Sequence, residues 1–327
     1  MAASPYPERT NERDRWILAQ RENVGRSARS ELDPQRPYAF LTEDERSASG
    51  AIVPVATVFL TNRECPWRCL MCDLWRNTLT ETVPLGAIPA QIDYALARLT
   101  PARQIKLYNS GSFFDHRAIP MADYEAIAAR LQAFERVVVE SHPVLINDEC
   151  LRFRDLLNGQ LEVAMGLETV HPTVGPRLNK LMTLDQFSGA AAKLRRNDIA
   201  LRVFILVKPP FLDEVEALYW AQHSLDFAFD CGATVAVLIP TRGGNGALEA
   251  LVESGDFSPP RLATLEATIA YGVRLQRGRV FADLWDLERF ATCPDCFPAR
   301  AARLHEMNLR QELAVPLRCP GCGENIE

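Results

Sequence analysis

Cys65, Cys69 and Cys72 place three thiols within eight residues of the chain. Thiolates are soft ligands that bind zinc and iron-sulfur clusters, and a structural zinc site normally has four protein ligands. Three thiolates fit a 4Fe-4S cluster, which would leave the fourth iron open to a cofactor or substrate. An incomplete zinc site is the alternative. The spacing therefore favours a redox-active 4Fe-4S cluster at these residues.

Two further cysteine pairs lie near the carboxyl terminus. Cys293 and Cys296 form one Cys-x2-Cys pair, Cys319 and Cys322 form the other, and 22 residues separate the pairs. Such paired knuckles indicate a metal site, although zinc spacings are usually about 15 to 20 residues. A four-cysteine zinc site and a second 4Fe-4S cluster would both fit. The proline after the first cysteine of each pair favours zinc, and the site is expected to clamp residues 298–312 against the main domain.

Composition and charge limit the class of protein. The 327 residues are 47% hydrophobic and 24% charged, which is typical of globular domains, and the formal net charge of -6 gives no overall attraction to nucleic acid or an anionic membrane. Charged residues interrupt the first nine positions, where a secretory signal needs an apolar run, and the longest apolar segments have about ten residues where a membrane span needs roughly 20. We expect a cytoplasmic protein with no membrane segment. Nine cysteines in such a protein indicate metal or redox chemistry.

From residue 51 onward, short β-branched runs alternate with amphipathic stretches, as in repeated βα units around a parallel sheet. The predicted strands are 52–60, 104–109, 137–140, 161–168, 201–207 and 234–239, and the predicted helices are 12–20, 88–99, 121–134, 149–157, 184–196, 213–229 and 260–277. Periodicity alone does not choose between a doubly wound sheet and a partial barrel. We predict an N-terminal extension (1–50), a core domain (51–285) and a C-terminal four-cysteine module (286–327).

Both architectures place chemistry at the carboxyl ends of the strands. The unusual residues of this chain fall there: the cysteine loop follows the first predicted strand, Asn109-Ser110-Gly111-Ser112 follows the second, and Glu168 ends the fourth. Other polar residues at strand ends are left for a substrate, namely Glu140, His142, Lys208, Arg242, Asp283 and Trp285. Both signs of charge in one barrel mouth suit a polar substrate fragment.

The Cys-x3-Cys-x2-Cys loop after a first strand resembles the radical SAM superfamily. The resemblance covers about residues 52–285 and implies an α/β fold, a partial (β/α)6 barrel, and binding of S-adenosyl-L-methionine (SAM) through the open iron of the cluster. It places Met71 near the adenine, where the family usually has an aromatic residue. It also places the turn from Asn109 to Ser112 at the methionine amino group. The acidic residue of the family's Gly-Gly-Glu turn is lacking here, so that Ser110 and Ser112 hydroxyls or backbone carbonyls would bind the amine and Gly111 keeps the permissive backbone.

The order of the motifs Gly166-Leu167-Glu168-Thr169, 178–183 and 204–210 is similar to the branch that contains tRNA methylthiotransferases, the Elongator catalytic subunit and the archaeosine synthase radical SAM subunit. The runs 105–115 and 208–212 look most like the last of these. The resemblance implies that Glu168 contacts the SAM ribose, that Lys180 contacts the methionine carboxylate in place of an arginine, and that flavodoxin or ferredoxin supplies electrons. The resemblance also suggests tRNA as a substrate, but the sequence alone does not identify the substrate.

A rival hypothesis from another class is a non-enzymatic zinc-binding interaction module, in which all of these cysteines are structural ligands. The colour of the purified protein distinguishes this hypothesis from the radical SAM one, because a 4Fe-4S protein is brown and is bleached by dithionite, whereas a zinc protein is colourless.

Overall fold

The computed structural model describes residues 4–24, 29–319, 321–322 and 325–326. Its strands, numbered in chain order, are β1 (Ala39–Arg46), β2 (Ile52–Phe59), β3 (Gln104–Tyr108), β4 (Arg136–Glu140), β5 (Gln160–Glu168), β6 (Ala200–Val207), β7 (Val235–Pro240), β8 (Arg279–Ala282), β9 (Leu317–Arg318) and β10 (Asn325–Ile326). Its helices are α1 (Thr10–Asn23), α2 (Ala87–Leu96), α3 (Tyr124–Leu131), α4 (Asp148–Asp155), α5 (Val174–Arg177), α6 (Leu184–Arg196), α7 (Glu214–Asp230), α8 (Ala247–Ser254), α9 (Leu262–Leu275) and α10 (Phe297–Arg310).

Strands β1 to β8 form one curled sheet in sequence order, with β1 antiparallel to β2 and every later pair parallel. This half-barrel confirms the predicted fold class and the six predicted strands, which correspond to β2 to β7. The sheet has two more strands than predicted. β1 lies in the N-terminal extension and pairs along its full length with β2, so part of that extension belongs to the sheet. The domain bounds at residues 50 and 285 remain predictions.

Alternation along the parallel strands separates two faces. Residues such as Val58, Leu107 and Val203 point outward into a core shared with the helices, where they are fully buried. Capping residues mark the start of two of the helices: Thr183 caps α6 and Asp213 caps α7, and each forms a capping box. The residues between the outward-facing ones, at every second position, point into the interior of the half-barrel, here called the lumen.

Buried ion pairs fill the lower end of the lumen, at the amino ends of the parallel strands. Glu45 accepts bonds from Lys106 at 2.5 Å and from Arg202 at 2.6 Å, and Arg202 also binds Glu162 at 2.6 Å. Arg136 binds the other oxygen of Glu162 at 3.0 Å. These contacts join β1, β3, β4, β5 and β6, so the lumen has an ionic floor.

Helix α10 covers the free edge of β8. The Gln311 carboxamide, just past the end of the helix, accepts from the Val280 N–H at 2.6 Å and donates to its carbonyl at 2.9 Å. Asn308 makes the same pair of bonds to Ala282, at 2.8 and 2.9 Å. Helix α10 also packs against β1. The helix therefore closes the gap between the two edge strands and satisfies backbone groups that an open edge would expose.

Candidate active site and C-terminal metal centre

The cysteine loop follows β2 at the carboxyl edge of the sheet and is held from two sides. The Leu70 N–H donates to the Leu178 carbonyl at 2.9 Å, and the Asn245 carboxamide, in the loop after β7, donates to the Leu70 carbonyl at 2.7 Å. Leu70 is fully buried in an apolar cluster with Ile17 of α1 and Leu248 of α8. The N-terminal helix thus covers the loop that carries the three thiols.

Burial raises the pKa of all three thiols. The pKa of Cys65 rises to about 11 and that of Cys72 to about 12, while Cys69 is raised furthest, although the Lys180 ammonium opposes the shift at Cys65 and Cys69. Without a metal these groups are therefore neutral at pH 7, and binding of iron would release their protons. Within the described residues they do not form a compact group suited to a single ion.

The turn after β3 lies against the cysteine loop. A Cβ placed on Gly111 would lie 3.4 Å from the Cβ of Cys65. Asn109 is fully buried, and among the described residues neither atom of its carboxamide has a hydrogen-bond partner. Buried polar groups are almost always hydrogen-bonded, so this carboxamide fits a ligand-binding role.

The acidic side chain Glu140 at the end of β4 holds this turn in place. Its carboxylate accepts from the Asn109 N–H at 2.5 Å and the Ser110 N–H at 2.7 Å. Burial raises the pKa of Glu140 to about 7, although the backbone N–H groups of the turn oppose that shift. The Ser112 hydroxyl accepts from the His142 N–H at 2.8 Å, so it also anchors the turn. Sequence reasoning assigned Glu140 to the substrate, because no local pattern shows which backbone a carboxylate will bind.

Glu168 and Lys180 lie together at the same edge. Their side chains form an ion pair at 2.5 Å, and although burial opposes it, Glu168 raises the pKa of Lys180. A Cβ on Gly166 would overlap the ends of both side chains, so a larger residue there would displace the pair from this position. Ser110, Glu168 and Lys208, each at the carboxyl end of a strand, all have positive φ values, between 53° and 66°. Such strained backbone collects at functional sites.

A stacked pair of rings links Lys180 to the cysteine loop. The Lys180 carbonyl lies 3.1 Å from His142 Nε2, and the His142 ring stacks on Trp67 at 3.9 Å with the planes 6° apart. Burial, followed by the charge of Lys180, lowers the pKa of His142 to about 4, so the ring is neutral. Met71 and Phe211 both pack against the buried apolar clusters that contain Leu70 and Leu178. The structure thus brings the predicted cofactor residues Met71, 109–112, Glu168 and Lys180 to one edge beside the predicted cluster thiols.

Comparison with known proteins finds no matching family model. Archaeosine synthase subunit beta of Methanosarcina acetivorans is 28% identical over 228 residues, which cover 65% of this chain and 65% of that protein. The same subunit of Thermococcus kodakarensis is 26% identical over 186 residues, covering 55% and 57%. An uncharacterized protein of Methanocaldococcus jannaschii is 25% identical over 246 residues, covering 70% and 67%. This chain therefore spans about two thirds or less of the length of these relatives.

Among solved structures, Elp3 of Methanocaldococcus infernus matches with a TM-score of 0.51 at 12% identity, over 78% of this chain and 64% of that one. The Elp3 likeness shows a shared fold. The two archaeosine synthase relatives carry the name of a protein in the branch that the motifs around Cys65–Cys72, Glu168 and Lys180 resemble. The two archaeosine synthase relatives support the predicted resemblance to the radical SAM superfamily. These relatives support the prediction of an enzyme over the rival hypothesis of a non-enzymatic zinc-binding interaction module.

The chain has a second cysteine group near its carboxyl terminus. The sulfurs of Cys293, Cys296, Cys319 and Cys322 all lie within 4.8 Å of one another, and the Sγ atoms of Cys293 and Cys319 are 3.9 Å apart. The group confirms the predicted metal-binding potential. Pro320 and Gly323, which flank the last knuckle, lie outside the described residues.

The C-terminal cysteines are joined to the half-barrel through α10. Cys296 caps the amino end of α10, whose Arg300 forms a buried pair with Glu266 of α9 at 2.6 Å. The predicted clamp on 298–312 corresponds to this helix. In the parts of the chain that the structure describes, no helix has the length and apolar character needed to cross a membrane.

Proposed function

We propose that this enzyme binds a 4Fe-4S cluster through Cys65, Cys69 and Cys72 and reductively cleaves SAM there. The observation that carries the proposal is the meeting of these thiols, the unpartnered Asn109 carboxamide and the Glu168–Lys180 pair at one sheet edge. When bound, the cluster and SAM supply an electron and a 5'-deoxyadenosyl radical that abstracts hydrogen from the substrate.

The chain's own residues bind and orient the cofactor. The buried Asn109 carboxamide offers one donor and one acceptor, and the backbone carbonyls of Ser110 and Gly111 are available to a methionine amine. Glu168 would accept from the ribose hydroxyls, while Lys180 would pair with the methionine carboxylate. In the absence of SAM these two side chains neutralise each other. Met71 would pack against the adenine.

We further propose a tRNA nucleoside as the substrate, because two of the relatives are named archaeosine synthase subunit beta. Contact with tRNA would have to use a local basic patch, since the net charge is -6. The proposal includes a cytoplasmic location, where free cysteines persist, and flavodoxin or ferredoxin as electron donor. For the C-terminal cysteines, the close sulfur spacing supports zinc.

The test of SAM cleavage compares two cysteine variants. Replacement of Cys65, Cys69 and Cys72 by Ala should abolish 5'-deoxyadenosine formation by the anaerobic, dithionite-reduced protein and remove its brown colour. Cys150→Ala is the matched control, because Cys150 is a fully buried thiol in α4 that belongs to neither cysteine group. Undiminished SAM cleavage in the triple variant would refute the proposal.

A further inference from the structure

The upper lumen is lined by aromatic side chains that remain accessible. Phe59, Tyr108 and Phe204 point inward, because their neighbours along each strand belong to the outer core, and all three are only half-buried. The Phe59 ring contacts Tyr108 at 6.1 Å and Trp285 at 6.2 Å, and Tyr108 contacts Phe204 at 6.1 Å. These partly accessible rings form an apolar inner wall above the ionic floor, and the space they border is called the chamber.

An ion pair stands at the rim of this chamber. Arg242, after β7, binds Asp283, after β8, with Nη2 and Oδ2 at 2.5 Å. The other oxygen of Asp283 accepts from the Trp285 N–H at 3.1 Å. Arg242 Nε is buried, and in the described part of the chain it has no hydrogen-bond partner. The loop that carries Arg242 also carries Asn245, which donates a hydrogen bond to the Leu70 carbonyl of the cysteine loop. The Arg242–Asp283 pair therefore lies at the same open end of the half-barrel as the cysteine loop.

The partners of Asp283 decide what this site can bind. Both of its oxygens are engaged, and its charge is matched by Arg242, so the pair is neutral as a unit. An amino acid zwitterion would need a free carboxylate for its ammonium group, which the pair does not offer. Among the described residues, the buried N–H of Arg242 Nε has no partner. A neutral ligand with a hydrogen-bond acceptor satisfies that donor, and a planar ring matches the aromatic wall.

We propose that the lumen binds a neutral heteroaromatic ring of the substrate, and that Arg242, held in place by Asp283, donates to an acceptor on the edge of that ring. Trp285 and Phe59 form the wall against which the ring packs. The proposal rests on the proposed function, because the hydrogen to be abstracted must lie beside the SAM site at the same mouth. It goes further by naming the side chains that recognise the substrate.

The test measures ring binding separately from SAM cleavage. The anaerobic holoenzyme is saturated with SAM without reductant, so that the adenosine site is occupied and no cleavage occurs. Guanosine is then added, and saturation-transfer NMR follows its ring proton. We expect transfer to guanosine and none to free lysine, the probe for an amino acid ligand. Transfer to lysine with none to guanosine would overturn the inference.

Arg242→Gln should weaken guanosine binding by about tenfold or more, because it removes a charge-assisted donor. Arg289→Gln is the matched control, since Arg289 is half-exposed and its ion pair with Asp286 is long, at 3.8 Å. Equal binding by the two variants would overturn the inference. If Arg242→Gln does not fold, Arg242→Lys can replace it. The lysine keeps the positive charge opposite Asp283 but lacks Nε, so this variant should still lose affinity for guanosine severalfold.

The two proposals fail in different ways. Loss of 5'-deoxyadenosine formation in the wild-type protein, supplied with SAM and dithionite alone, would refute the proposed function. SAM cleavage without guanosine binding would refute only the assignment of the lumen and Arg242.

Discussion

Removing the three thiols of the cysteine loop isolates the metal chemistry of the C-terminal module. A chain with Cys65, Cys69 and Cys72 replaced by Ala keeps all four C-terminal cysteines. We expect such a chain to contain about one zinc and almost no iron. The wild-type protein should contain the same zinc together with about four irons and four sulfides.

The expected zinc follows from the separation of the sulfurs. Zn–S bonds of about 2.3 Å in a tetrahedron place the sulfurs about 3.8 Å apart. The Sγ atoms of Cys293 and Cys319 are 3.9 Å apart, and all four sulfurs lie within 4.8 Å. In a 4Fe-4S cluster each thiolate binds a different iron, which holds the sulfurs farther apart. The C-terminal group thus has the spacing of a single ion.

The assay is elemental and sulfide analysis of protein purified without oxygen. The converse variant, with Cys293 and Cys319 replaced by Ala, should keep its iron and lose its zinc, which shows that each metal belongs to its own site. Retention of about four irons and sulfides by the triple Ala variant would refute the argument from sulfur spacing.

Three further changes test the SAM site, the sealed edge and the ionic floor. Glu168→Gln should lower SAM affinity about tenfold or more, since charge-assisted hydrogen bonds contribute roughly 1.5 to 3 kcal/mol; an unchanged Kd in equilibrium dialysis would leave Glu168 a structural role. Asn308→Ala removes both hydrogen bonds between α10 and Ala282, which together contribute about 2 kcal/mol, so the Ala282 amide should exchange with deuterium about 30-fold faster. The control Gln132→Ala, on the outer surface, should leave this exchange rate unchanged. Equal exchange rates in the two variants would contradict the role of α10 in covering the edge of β8. Although burial opposes the shift, Arg202 and the other arginines lower the pKa of Glu162. The contribution of Glu162 to the free energy of unfolding is therefore present above its ordinary pKa of 4.5 and is lost as the pH falls below that value. In urea unfolding, the free energy of unfolding of Glu162→Gln should decrease less steeply with falling pH than that of the wild-type protein, and an equally steep decrease would contradict this role of Glu162.

Strands buried on both faces were the part of the fold that the sequence predicted well. β2 to β7 consist of short β-branched runs, and their signal is local. β1 was missed because its sequence, Ala39–Arg46, ends in four charged residues that suggest an exposed loop. Two of its acidic residues, Glu43 and Glu45, instead face inward to pair with Lys106. A charged strand of this kind is recognised only when its partners across the lumen are known. β8 was missed because four residues give too short a pattern.

The candidate site also contains residues that the sequence predicts and contacts that it does not. Cysteine spacing and the resemblance placed the thiols, Glu168 and Lys180, and the structure brings them to one edge. The anchoring of the Asn109 turn by Glu140 and the hydroxyl contact of Tyr38 with Ser110 at 3.2 Å were not predicted. Both contacts join residues more than 30 positions apart, and no spacing rule reports such long-range pairs.

The ionic floor gives the lumen a single mouth. Lys106, Glu162 and Arg202 are at most 5% exposed, and α10 covers the seam, so among the described residues ligands pass only the carboxyl ends of the strands. The substrate and SAM therefore have to enter and leave the lumen through the same mouth, beside the cysteine loop.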